Sequence, residues 1–313
     1  MKVYQSLEEL EKDKNSVITV GNFDGVHRGH LNIIEKLVQK AESLNGRSVL
    51  ITFNPHPQTI RSNKDDSFAL LTPLEEKIEL LEHTGIDILL ILPFDKQLSR
   101  MKAEEFIIKI LKEKVGVKYI IIGFNHSFGT HRSGDVTLLK ELSDMYNFSV
   151  EMIKPYKVDE FVVSSTKIRE LLIKGNVKLA NNMLGRYYSL KGKVISGKKI
   201  GHQIGFPTAN INVENTSKLI PMNGVYAVIV SDNIQKREGT VYIGKRPTVN
   251  GKKRTVEIYL HDYSGDLYGK NLTIEFMDYI REEQKFNSID ELKKNIKKDI
   301  NKTKNLLSLG RRQ

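Results

Sequence analysis

The sequence predicts two domains: an α/β domain built on a doubly wound parallel sheet, then a small antiparallel β-barrel closed by a C-terminal helix. Three observations carry this. From Val17 to about Tyr156, apolar strand patterns alternate with helical patterns, as expected of strands joined in parallel through crossover helices. After Gly185 short strand-like runs dominate, with the hairpin dipeptide Asn250-Gly251 between two of them. Helical spacing returns only at the end. The shift near Gly185 divides the 313 residues into domains 1–184, including a helical linker at Lys174–Leu184, and 185–313, each large enough for its own core.

The elements follow in order. VITVG is a strand rich in β-branched residues. It runs into the turn Gly21-Asn22-Phe23-Asp24-Gly25 and then His27-Arg28-Gly29-His30. A helix follows, with Leu31, Ile34, Leu37, Val38, Ala41 and Leu44 on one face. SVLITF is the second strand. LTPLEEKIELLEHTG is a helix with Pro73 early and Gly85 at its end. IDILLILP and KYIIIG are further buried strands around the helix AEEFIIKILKEKVG. A helix near Asp135–Tyr146, a strand near Ser149–Ile153 and the helix TKIRELLIKG complete the domain. The barrel runs are YYSLKGKVI, VYAVIV, GTVYIG, RTVEIYLHD and NLTIEFMDYI. In the last helix Ser288 and Glu291 form a capping box, and Ile289, Leu292, Ile296 and Ile300 an apolar stripe.

Composition narrows the class. Charged residues are 28% and hydrophobic ones 39%, as in ordinary globular proteins. The start carries no apolar secretory core, and no apolar run reaches membrane-spanning length. A cytoplasmic location without membrane contact is expected. The absence of cysteine excludes disulfides and thiolate–metal sites. The net charge of +11 is dispersed except in KKNIKKDINKTK. No aromatics interleave those lysines, so they read as a solvated helix face and not as a nucleic-acid surface.

The chemistry concentrates at the carboxyl ends of the strands, where such sheets bind ligands. His27 and His30 fall in the first turn of a helix that follows a strand. Free N–H groups and the positive end of the helix dipole there attract phosphates, and Gly29 permits close approach. The spacing is neither a P-loop nor a zinc-protease motif. It resembles the HxGH signature of nucleotidylyltransferases. In NPHP, two prolines hold His56 at the sheet edge. In SSTKIR, Ser165, Thr166, Lys167 and Arg169 combine cap, dipole and cations into a second anion site. This too resembles a nucleotidylyltransferase signature.

In the second domain Gly197, Gly201 and Gly205 free the backbone beside GFPTAN. Thr208 and Asn210, two residues apart, point the same way if extended and suit a magnesium ion shared with phosphate oxygens. Glu257, inside a strand pattern, faces either solvent or a pocket where it could accept a hydroxyl proton.

GNFDGVHRGH, NPHP, LTPLEEK, GFNHSFG and VSSTKIR together resemble the adenylyltransferase half of the bifunctional riboflavin kinase/FMN adenylyltransferases, the prokaryotic FAD synthetases. GFPTANI, NGVYAV, YIGKRPTV, VEIYLHDYSGDLYGK and IREEQKF resemble their riboflavin kinase domain. The resemblance implies a Rossmann-like nucleotidylyltransferase domain, and a chain that makes FMN from riboflavin and ATP, then FAD and pyrophosphate from FMN and ATP, with Mg2+. It implies that His27, His30, Ser165, Thr166 and Arg169 bind ATP phosphates. Gly21, Asn22, Phe23, Asp24, His56, Asn125 and Phe128 would line the nucleotide and flavin sites. Thr208 and Asn210 would hold magnesium, Glu257 would be the base, and Arg281, Glu283 and Phe286 the flavin side. The chain departs from the family pattern at His126, Ser127 and Tyr259. Three alternatives stay open: a nucleotidylyltransferase for another phosphate acceptor, a flavin-sensing protein with weakened catalysis, and nucleic-acid binding through the basic tail, which a salt-dependent binding assay would expose.

Overall fold

The computed structural model describes residues 1–13, 15–61, 68–124, 129, 134–197, 201, 204–232, 234–248 and 251–310. The chain divides into two compact units, Met1–Ser165 and Thr166–Gln313. The boundary read from the sequence, after 184, differs from this division by two helices.

The first unit holds a six-stranded sheet in the order β1-β4-β3-β2-β5-β6. The strands are β1 (Lys2–Tyr4), β2 (Ser16–Val20), β3 (Arg47–Asn54), β4 (Ile88–Pro93), β5 (Val117–Gly123) and β6 (Ser149–Ile153). Every pairing is parallel. Alternate side chains serve opposite faces. Ile18, Val20, Val49, Ile51, Ile120 and Ile122 pack with Ile107, Leu111 and Leu139 on one side. Val17, Leu50, Leu89, Ile91 and Ile121 pack with Ile34, Leu37 and Leu81 on the other. Two covered faces explain why these strands read as unbroken apolar runs. The crossover helices are α1 (Arg28–Ser43), α2 (Pro57–Arg61), α3 (Leu74–Glu82), α4 (Lys96–Arg100), α5 (Ala103–Glu105) and α6 (Val136–Tyr146). Between α5 and β5, Phe106–Val115 winds as a π-helix and stops at Gly116, whose φ is 76°. In α1 the buried residues are Ile34, Leu37 and Ala41, while Leu31 is exposed. A short hairpin, β7 (Lys157–Val158) and β8 (Phe161–Val162), leads to α7 (Ser165–Ile173). Chain order reverses at β2: β3, β4 and β1 extend to one side, β5 and β6 to the other. The carboxyl end of β2 is therefore the switch point where such folds bind ligands.

The second unit contains α7 beyond Ser165, α8 (Val177–Leu184), a closed barrel and α9 (Ile289–Gly310). The barrel order is β10-β13-β12-β11-β14-β9, antiparallel throughout. Its strands are β9 (Tyr188–Ile195), β10 (Ala209–Val213), β11 (Gly224–Ser231), β12 (Lys236–Thr248), β13 (Gly251–Leu260) and β14 (Asn271–Arg281). The expected hairpin is present, with Thr248 opposite Gly251; Asn250 itself lies outside the described residues. The segment read as a linker is packed structure: Asn181 Nδ2 donates to Phe276 O at 2.8 Å, and its Oδ1 accepts from Tyr188 N at 2.7 Å.

The last helix corrects one expectation. Its fully buried positions are Asp299, Thr303 and Leu307; of the expected stripe, Leu292, Ile296 and Ile300 are half-buried and Ile289 is exposed. Polar contacts decide this face: Asp299 accepts from Arg281, and Thr303 shares a hydrogen bond with Thr240 at 3.0 Å. Its cap also shifts by one residue, since Ser288 Oγ accepts from Glu291 N but the Glu291 carboxylate takes Asn287 N–H.

Candidate active sites

The turn after β2 is built from residues in rare backbone conformations. Phe23, Gly25 and Val26 have φ of 47°, 90° and 37°. Gly21 is needed because the Phe23 ring lies against it: a Cβ there would stand 3.1 Å from Cε2. The buried Phe23 ring then meets His30, centroids 4.9 Å apart. His27 is the N-cap of α1, and its Nδ1 accepts from His30 N at 3.2 Å. The two imidazoles stack at 3.6 Å and 14°. Gly29 makes this possible, because a Cβ there would stand 3.2 Å from the His27 ring. Its nearest neighbour is thus the histidine, not an open approach for phosphate. Stacked imidazoles at a helix N-terminus make a compact donor site for an oxyanion.

Asp24 anchors this turn. Its buried carboxylate accepts from Leu71 N (3.1 Å), Thr72 N (2.9 Å) and Thr72 Oγ1 (3.2 Å), while Thr72 Oγ1 accepts from Gly25 N at 2.8 Å. Asn22 contributes its carbonyl, which accepts from Thr52 Oγ1 at 3.2 Å and from Lys77 Nζ at 2.6 Å. Sequence reading did not single out Lys77. It lies within the LTPLEEK segment and is buried at 4% exposure, where burial, opposed by the Asp24 carboxylate, brings its ammonium down to about 8. A lysine on an otherwise apolar helix face was the available signal. His56 is buried, accepts from Gln58 N at 3.1 Å and stacks on Phe68 at 4.7 Å. Ser165 Oγ donates to the Asp24 carbonyl at 2.8 Å, which brings the start of α7 to the same turn. Thr166 and Arg169 follow on that helix, exposed and half-buried respectively. Asn125, His126, Ser127 and Phe128 lie outside the described residues.

In the barrel, strand register assembles residues that are far apart in sequence. Asn210 of β10 stands opposite Glu257 of β13, Glu257 opposite Tyr242 of β12, Tyr242 opposite Val225 of β11, and Val225 opposite Arg281 of β14. Directly opposed residues share a face, with Cβ atoms about 4.5–5.5 Å apart. Asn210, Glu257 and Arg281 thus fall on one row. Its neighbours Val256 and Ile258 are buried, while Glu257 is half-buried. The glycines before PTAN surround its donors: a Cβ at Gly201 would stand 3.0 Å from Thr208 Oγ1, and one at Gly197 2.0 Å from Asn210 Nδ2. Gly205 has φ 85° and an open surround. Tyr259 packs its ring edge to Phe206 of this loop, at 5.9 Å.

Arg281 is engaged elsewhere than on the row. Its Nε and Nη2 donate to the Asp299 carboxylate at 2.8–3.1 Å, its Nη1 donates to Glu282 O at 2.9 Å, and it lies over the Phe286 ring at 5.5 Å. Glu283 accepts from Asn223 Nδ2 at 3.2 Å and from the Tyr242 hydroxyl.

Stacked histidines at the switch point of a parallel sheet, joined in one chain to a barrel that pairs a carboxylate with a glycine-lined Thr/Asn set, fit a two-domain phosphate- and nucleotide-transfer enzyme. The family model for FAD synthetase matches residues 9–167, and that for riboflavin kinase matches 184–307. The bifunctional riboflavin kinase/FMN adenylyltransferase of Buchnera aphidicola subsp. Schizaphis graminum is 39% identical, over 99% of this chain and 100% of its own length. The Escherichia coli K12 protein of the same description is 35% identical over 96% of each. The chain belongs to the bifunctional riboflavin kinase/FMN adenylyltransferase family. The fold likewise matches the crystal structure of a macrolide-efflux protein from Streptococcus pneumoniae, with TM-score 0.88 and 29% identity, covering 97% of this chain and 98% of that one. Among the described residues, no helix is long and apolar enough to cross a membrane.

Proposed function

We propose that the barrel carries the kinase step and the parallel-sheet unit the adenylyl transfer. The chain's activities are riboflavin kinase and FMN adenylyltransferase. In the first step Glu257 accepts the proton of the riboflavin 5′-hydroxyl. The oxygen then attacks the γ-phosphorus of ATP and ADP leaves. The observation that supports this reading is the cross-strand pair Asn210–Glu257, in which the carboxylate proposed as the base stands opposite a neutral oxygen donor.

Thr208 and Asn210 fit a magnesium ion as neutral oxygen donors in a glycine-lined loop, with phosphate oxygens and water completing the shell. Bound there, the ion would neutralise phosphate charge. Gly205, with its open surround, leaves room for the triphosphate, while Gly197 and Gly201 let the chain close around Asn210 and Phe206. Arg281, clamped by Asp299, holds the Glu283–Phe286 segment on the flavin side.

In the second step an FMN phosphate oxygen attacks the α-phosphorus of a second ATP and pyrophosphate leaves. That oxygen is already ionised, so alignment and charge neutralisation suffice. His27, His30, Ser165, Thr166 and Arg169 supply the donors, with His56, Gly21, Asn22 and Phe23 around the nucleotide and flavin. Asp24 acts through the turn it anchors. We place the functional boundary near Gly185, next to where the match to the riboflavin kinase model begins at residue 184. The enzyme works on small molecules in the cytoplasm, with no nucleic-acid partner.

Incubation of the purified protein with riboflavin, ATP and magnesium should yield FMN first and FAD later when the flavins are separated over time. No FMN would remove the kinase reading. FMN without FAD would remove the adenylyl-transfer reading.

A further inference from the structure

The row across the barrel contains one polar residue that the reaction above leaves unused. Tyr242 stands between Glu257 on one neighbouring strand and Val225 on the other, two strands from Arg281. Its ring bends along β12 over Gly244, where a Cβ would stand 2.1 Å from the hydroxyl. From there the hydroxyl donates to Glu283. Glu283 also accepts from Asn223 Nδ2 at 3.2 Å, and Asn223 Oδ1 accepts from Arg254 Nε at 3.1 Å. Arg254 is tied in turn to the Ile220 carbonyl at 3.0 Å and to the Pro221 carbonyl. It lies on β13, the strand of Glu257. The segment after β14 is thus joined to the strands of the reactive row through one carboxylate.

We infer that Tyr242 is a positioning residue of the kinase site: by holding Glu283, it fixes the segment through Phe286 at the distance from Glu257 that the bound flavin requires. Three features support this. The Tyr242 side chain shares a face with Glu257. Gly244 leaves room for the ring, which packs against Val225, Ala227 and Ile280, to carry its hydroxyl to Glu283. Glu283 is otherwise exposed, and the described contacts of its carboxylate are with these two donors. A hydrogen bond to a charged group is among the stronger kinds in proteins. The inference rests on the kinase reading of the barrel and adds a determinant of riboflavin affinity.

The test is Tyr242→Phe in the full-length protein, which keeps the ring and removes the donor, together with Glu283→Gln and the double variant. Tyr242→Phe should raise the riboflavin KM about ten-fold or more, leave the ATP KM within about two-fold, and leave the melting temperature and FAD formation from supplied FMN unchanged. The double variant should be no worse than the more impaired single one, as expected of two partners in one interaction. An unchanged riboflavin KM in Tyr242→Phe would overturn the inference. So would an equal rise in both KM values with a lowered melting temperature, since that marks a merely structural role, or additive losses in the double variant. Absence of FMN formation by the unsubstituted protein would instead remove the kinase reading itself.

Discussion

At the scale of single residues, two side chains separate the two chemistries. His30 stacks on His27 at the start of α1, in the unit assigned to adenylyl transfer. His30→Ala removes a donor from charge that develops on the triphosphate, which costs on the order of 100-fold or more in rate. FAD formation from FMN should fall by that factor while FMN formation from riboflavin holds; equal loss of both would assign His30 a folding role. Glu257→Gln keeps the shape and removes the basicity. General-base loss costs about 100- to 10,000-fold, so kinase turnover should drop within that range, with ATP binding and FAD formation retained. Near-normal turnover would pass the role to another group. The histidine pair stands out in the sequence because its motif is contiguous, while Glu257 stands out only through the family resemblance of its strand. Lys77 and Tyr242 do not, because what gives each its role is a partner 55 and 41 residues away, respectively.

At the scale of elements, α8 and α9 test how far the barrel stands alone. Asn181 of α8 clasps β14 and the backbone entering β9. A fragment beginning at Thr166 should fold and phosphorylate riboflavin. One beginning at Gly185 loses both buried hydrogen bonds, at a cost of about 1–3 kcal/mol for each group left unpaired, and should melt at a lower temperature. Equal melting temperatures would show that α8 is dispensable. The junction of α9 adds a pH dependence. His261 Nε2 shares a hydrogen bond with Thr240 Oγ1 at 2.9 Å, and its Nδ1 has no partner among the described residues. Burial, aided by the Lys304 charge and opposed by Asp262, brings its pKa from 6.5 down to about 4. A histidine kept neutral in the fold contributes stability that is full above about pH 6.5 and is lost as pH falls towards 4. Melting temperatures from pH 7 to 4.5 should therefore decline less steeply in His261→Gln than in the unsubstituted protein. Parallel curves would refute the assignment.

For the whole molecule, periodicity was enough to read a parallel α/β unit and an antiparallel barrel, and motif order to read the family. Long apolar strands announce themselves because both faces of their sheet are covered. Short elements do not: β1 has three residues, none fully buried, and β10 is only five residues long, directly behind PTAN. Apolar spacing finds only the half-buried Leu292, Ile296 and Ile300 of α9, because aspartate and threonine occupy its most buried positions.

The sequence by itself determined which residue types stand in each strand-to-helix turn, because those turns are local and their glycines, caps and histidines are neighbours in the chain. Only the tertiary structure decided what those residues face. Strand register aligned Asn210, Glu257, Tyr242 and Arg281, although no two of them adjoin in sequence. Burial turned the Asp24 carboxylate onto Leu71 and Thr72 and closed Lys77 beneath Asn22. The physical reason is that a buried polar group must find a hydrogen-bond partner wherever the closed fold supplies one, and sequence distance places no limit on that choice.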